Sequence, residues 1–116
     1  MARTLIDKPE RAKPGEVVRI RAMIGHPMES GYRVDTQGKV APRNIIRRFT
    51  CHESSGNSSG ADALVFAADF HPAVAANPYV AFHLAAPTAA TSLTLKLRWT
   101  GDEGFEHTET VSLAVA

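Results

Sequence analysis

The chain has 116 residues, 44% of them hydrophobic and 22% charged, which is the size and balance of a single globular domain that can fold without a metal or a disulfide. Its one cysteine, Cys51, excludes an internal disulfide and any multi-cysteine metal site. The formal net charge of +1 conceals an asymmetry: eleven of the thirteen Lys and Arg fall in residues 1–48, and seven of the twelve acids fall after them. Strands of a sandwich interleave such halves, so the segregation is read as a feature of the sequence and not as a charged face.

Residues 1–12 read as an N-terminal extension and 13–116 as the folded domain. The opening MARTLIDKPERAKPGE lacks the apolar stretch of a secretory signal, and no apolar run reaches the ~18 residues of a membrane span, so neither is expected. Pro14-Gly15 opens a strand in which Val18, Ile20, Ala22 and Ile24 alternate with Arg19, Arg21 and Met23, the period of two of a half-buried strand. Residues 26–39, HPMESGYRVDTQGK, form a loop between strands with interface-favoured side chains, and another strand falls in or around 31–41. His26, Met28, Tyr32 and Arg33 are the candidate partner contacts, with Met28, Tyr32 and Arg33 expected at the surface. The competing reading is a plain hairpin with Tyr32 folded onto the sandwich.

The next strand signal is IIRRFTCH, residues 45–52, whose buried side is ambiguous because Ile45, Phe49 and Cys51 share parity with Arg47. ESSGNSSGAD, residues 53–62, reads as a polar loop. Leu64, Phe66, Ala68 and Phe70 make a further apolar set, closed by His71-Pro72, and residues 72–77 are the one stretch suited to a helical turn. Val80, Phe82 and Leu84 follow the turn-forming Asn77-Pro78. Leu93, Leu95, Leu97 and Trp99 alternate with polar residues, as do Val111, Leu113 and Val115, with Gly101-Asp102-Glu103-Gly104 between them at hairpin distance. Short strands of this spacing without a long amphipathic helix predict an all-β, immunoglobulin-like β-sandwich, with a small open barrel as the rival fold.

Catalytic chemistry finds little footing. The histidines His26, His52, His71, His83 and His107 form no HxxxH or HxH pair, so no metal, cofactor or catalytic residue is assigned. The acids Asp102, Glu103, Glu106 and Glu109 read as a solvated hairpin tip. Gly56 and Gly60 lack phosphate-loop spacing, and the basic half lacks interleaved aromatic residues, which argues against nucleic acid. Cys51 shares a strand face with Phe49, which reads as a buried structural thiol. The alternative is a reactive thiol that accepts sulfur, with Arg47 and Arg48 upstream to favour the thiolate.

The run AKPGEVVRIRAMIGHPMESGYRVDTQGKVAPRNIIRRFTC at 12–51, NPYVAFHL at 77–84 and the closing SLAVA together resemble the SoxZ family over nearly the whole chain after the first ten residues. That family supplies the smaller subunit of the SoxYZ carrier complex of bacterial thiosulfate oxidation. The resemblance implies an immunoglobulin-type sandwich and a non-catalytic subunit without a cofactor. It also implies a SoxY-type partner, which carries sulfur intermediates on a cysteine in a glycine-rich arm of the type GGCGG. The closing VSLAVA is what SoxZ, and not SoxY, leads one to expect. Transient contacts with other thiosulfate-oxidation enzymes follow, as does a periplasmic location reached by co-export with the partner. By its opening residues alone, the chain reads as cytoplasmic. The departure is at 53–62, longer and more polar than the short turn expected of the family. Two other functions remain in view: a sulfur acceptor that uses Cys51 itself, and a generic binding sandwich. The isolated chain is also expected to self-associate through apolar surface.

Overall fold

A computed structural model of the protein describes residues 3–55, 63–88 and 92–116. Among them, eight strands form two sheets: β1 (Thr4–Asp7), β2 (Arg11–Ala12), β3 (Val17–Ile24), β4 (Ile46–Ser55), β5 (Ala63–Asp69), β6 (Tyr79–Ala85), β7 (Ser92–Gly101) and β8 (Glu106–Val115). The smaller sheet has the order β1-β3-β6 and the larger β2-β8-β7-β4-β5. All neighbours are antiparallel except β2 and β8. This is the immunoglobulin-like sandwich that the alternating pattern predicts.

The alternation translates directly into burial. On β3 Val18, Ile20, Ala22 and Ile24 face inward, and Leu93, Leu95, Leu97 and Trp99 of β7 meet them from the larger sheet. Phe82 and Leu84 of β6 and Leu113 and Val115 of β8 complete the layer. An aromatic cluster joins the sheets. The Phe49 ring lies 5.1 Å from Trp99 and 6.1 Å from both Phe66 and Phe82, and the Phe66 and Phe82 rings stack at 4.5 Å. Phe82 belongs to the smaller sheet and the other three to the larger. At one margin Thr4 Oγ1 of β1 donates to Glu109 Oε1 of β8 at 3.0 Å, a polar tie between the sheets.

Several expectations are corrected. The segment set apart as an extension supplies edge strands to both sheets, β1 to one and β2 to the other. No strand runs through 31–41; an isolated bridge pairs Val34 with Val40 around a turn in which Asp35 Oδ1 accepts from the Gln37 and Lys39 amides. Residues 72–77 make turns and bends, not a helix. On β5, Leu64 is exposed although Phe66 and Ala68 turn inward. The register slips between Cys51 and His52, which pairs Leu64 with the outward His52. The ambiguity at 45–52 has the same kind of cause. A bulge between Ile46 and Arg48 inserts Arg47, so Ile46 faces the core at one parity while Phe49 and Cys51 face it at the other. The loop at 53–62 lies largely outside the described residues.

Gly101 ends β7 where that strand crosses the start of β4. A Cβ there would collide with the Ile45 carbonyl oxygen and come within 2.9 Å of the Ile46 Cα, both main-chain atoms that cannot swing away. Gly101→Ala should therefore destabilise the fold by about 1–3 kcal/mol, read as a lowered midpoint in urea unfolding. Leu97→Asp places a charge at a fully buried site. It should leave no cooperative unfolding transition by circular dichroism.

Candidate functional site

The segment from His26 to Asn44 closes one end of the sandwich, and its two ends of sequence have different fates. His26 and Met28 are buried, Met28 only 6% exposed, which corrects the expectation that Met28 offers a contact. Met28 takes a positive φ of 52°, which turns its side chain under the loop, where Sδ accepts the Ile46 amide at 3.2 Å. The His26 ring packs edge-on against Phe105, with centroids 4.9 Å apart. Its Nδ1 accepts the Met28 amide at 2.9 Å, which requires the neutral ring with the proton on Nε2. Burial lowers the His26 pKa, against the opposing pull of Asn44 and Asp102. These two side chains hold the loop; they do not present it.

Tyr32 and Arg33 are at the surface, Tyr32 83% exposed. Arg33 forks onto Glu29 Oε1 at 2.8 and 2.9 Å, which fixes the guanidinium on the loop. Val34 and Val40, opposite one another on the bridge, are also exposed. The loop thus carries an aromatic, a positioned cation and two valines on one projection. Its base is tied to the β7–β8 turn. Arg43 grips the Asp102 carboxylate through Nε and Nη2 at 2.9 and 3.1 Å, and the Ile45 amide donates to the same carboxylate. The Arg43 hydrogen bond holds the Asp102 carboxyl below its ordinary range.

Sequence reasoning missed a second apolar surface. On the outer face of the smaller sheet, Leu5 pairs with Met23 and Met23 with Tyr79, three exposed side chains in one row across β1, β3 and β6. The signal was present in the polar parity of β3, where Met23 interrupts the arginines, but only the cross-strand register brings the three together. A third feature is a cleft of about 540 Å³ at the end of the larger sheet, lined by Arg43, Arg47, Arg48 and Phe70 among others.

Cys51 is fully buried between Phe66 of β5 and Leu97 of β7, its cross-strand neighbours. Burial, helped by the nearby Glu53 charge, pushes its pKa up to about 12, so almost no thiolate exists at neutral pH. His52 lies next to it in sequence but across the slip in register, on the outward side, so no Cys–His dyad forms. Among the described residues no three His, Cys, Asp or Glu side chains converge on a point that could hold a metal ion.

The geometry defines an immunoglobulin-like sandwich with a sealed thiol and interface-type side chains on its surface. A model of the family described as Sulphur oxidation protein SoxZ matches residues 6–112, and the chain belongs to that family. Comparison with curated proteins finds no significant match. Among solved structures, a variant of the superoxide reductase (neelaredoxin) from Ignicoccus hospitalis superposes with a TM-score of 0.76 at 18% identity, covering 97% of this chain and 79% of that one. That superoxide reductase without the substitution gives 0.72 at 16% identity, covering 97% and 80%. At such identity the likeness is one of fold.

The sealed thiol has a direct test. A bulky aromatic disulfide reagent should modify native Cys51 slowly and the unfolded chain at once, followed by absorbance of the released thiolate. Cys51→Ser should cost about 1–3 kcal/mol, since a buried hydroxyl replaces a weakly polar thiol, without disturbing the overall fold.

Proposed function

We propose that this protein is a non-catalytic subunit of a sulfur-carrier complex in thiosulfate oxidation. It binds a SoxY-type partner whose cysteine arm bears the sulfur intermediates, and it helps present that arm to the enzymes of the pathway. The observation that carries the reading is the SoxZ match over residues 6–112. The burial of Cys51 supports it, because a sulfur carrier needs a thiolate that visiting enzymes can reach, and the one cysteine of this sequence is closed within a rigid strand. The same burial weighs against Cys51 as a sulfur acceptor in its own right. The place of action in this reading is the periplasm, reached by export together with the partner.

The surface to be covered by that partner is the Tyr32 projection, with Arg33, Val34 and Val40 beside it. Aromatic residues and arginine concentrate binding energy at interfaces, and a side chain as exposed as Tyr32 contributes nothing visible to the core. His26 and Met28 act beneath it, by holding the loop in shape. The row Leu5–Met23–Tyr79 is the other apolar face available, to the partner or to a second copy of the isolated chain.

Co-expression with a SoxY-type chain should yield one species in size-exclusion chromatography with the two subunits in equal amount. Separate elution at micromolar concentration would overturn the reading. Tyr32→Ala should weaken the complex about tenfold or more while leaving the melting temperature unchanged. Loss of stability with binding intact would move Tyr32 into the core. Full binding in Tyr32→Ala with loss in Tyr79→Ala would move the contact to the smaller sheet.

A further inference from the structure

The bulge in β4 has a consequence at the opposite face of the larger sheet. It turns Arg47 outward next to Arg48, so two consecutive residues of one strand both reach solvent. Arg48 lies in register with Asp69 on β5 and Thr100 on β7, which places a carboxylate, a guanidinium and a hydroxyl in one row across three strands. Arg43 closes the row from the loop side, and Phe70 and Pro72 wall it from beyond β5. The cleft, partly open to solvent, measures about 540 Å³. That falls within the roughly 300–1,000 Å³ of sites that take ligands well beyond the size of a simple ion.

Its arginines are unequally engaged. Arg48 Nη1 meets Asp69 Oδ1 at 2.7 Å, and Arg43 forks onto Asp102. Each of those two has a carboxylate from this chain. The Arg47 side chain has no hydrogen bond or ion pair among the described residues. Asp102 acts on it only through space, as one contributor to that carboxyl's lowered pKa. Three guanidinium groups therefore face two carboxylates, and the charge left over resides on Arg47. Its backbone is held in place, because the Arg47 carbonyl accepts the Phe70 amide at 2.8 Å. The cleft also opens beside the margin of the sheet. β5 is the last strand in the order, and among the described residues its outer edge pairs with no strand, so its backbone groups are free to receive an extended chain.

We propose that this cleft docks an extended acidic peptide segment of a partner protein, with one peptide carboxylate seated on Arg47. The class of ligand follows from charge: Arg48 is matched by Asp69 and Arg43 by Asp102, which leaves the Arg47 guanidinium in the cleft to be matched by a carboxylate from outside. An arginine fork matches a carboxylate with two parallel hydrogen bonds. A lone small anion would fill only a fraction of the space, whereas a strand added along β5 brings its side chains to the Asp69 end, where the arginines stand. This docking is independent of the carrier-subunit reading and of the surface assigned to it.

The test uses the full chain and a fluorescein-labelled peptide of alternating aspartate and alanine, followed by fluorescence anisotropy. The peptide should bind, and more weakly as salt rises. Arg47→Ala should weaken binding about tenfold or more, with an unchanged melting temperature because that side chain gives up no partner. The same peptide with asparagine for aspartate should not bind. Arg19→Ala, which removes an exposed arginine from the smaller sheet, should behave as the unaltered chain. Absence of binding overturns the proposal, as does equal affinity in Arg47→Ala or for the asparagine peptide. Displacement of the peptide by inorganic sulfate at concentrations below the peptide's own would assign the cleft to a free oxyanion and overturn it as well.

Discussion

The contact of Phe49 with Phe66, Trp99 and Phe82 is the point at which two separately paired sheets become one core. Three of these rings come from the larger sheet, and Phe82 reaches across from the smaller one to stack on Phe66. Aromatic pairs of this kind contribute about 0.5–1.5 kcal/mol each beyond the area they bury. With no disulfide, this cluster and the aliphatic layer of β3 against β7 join the sheets across the interior. The register of β4 is subordinate to this contact. Phe49 must point inward, so the strand accommodates Ile46 on the same side by a bulge, and the surplus residue, Arg47, goes to water. The thiol two residues beyond Phe49 is sealed for the same reason.

How much of this could be read in the sequence depends on how regular each strand is. β3, β6, β7 and β8 keep strict alternation, and their inward residues are those that the period of two selects. β4 and β5 break alternation at the two slips in register, and no window of sequence reveals where an extra residue will be absorbed. β1 and β2 are too short to carry a period; they become strands because β3 and β8 offer them edges. The 31–41 segment has strand-like valines, but Asp35 draws two amides to its own side chain and so favours a turn.

The exposed surfaces divide in the same way. Tyr32 and Arg33 are exposed, as the loop reading of the sequence expected, and the competing reading that folds Tyr32 onto the sandwich does not hold. The fates of His26 and Met28 are not, since they depend on Phe105 and Ile46, which are distant along the chain. The row Leu5–Met23–Tyr79 and the arginine cleft are likewise products of register. Each gathers residues from three separate segments, and only the excess of basic residues before position 49 hinted at the second.

The parallel pairing of β2 with β8 bears on when the fold can be completed. Arg11 and Ala12 lie beside Ala114 and Val115, and the Ala114 amide bonds back to the Glu10 carbonyl. An early segment of the chain thus has no partner until the last strand has emerged from the ribosome. Closure of so long a loop is slow relative to local pairing, because its entropy is lost before any contact rewards it. Until then the margin of the larger sheet at β2 stays unpaired, which is the interval in which a chaperone would find an open strand edge to hold.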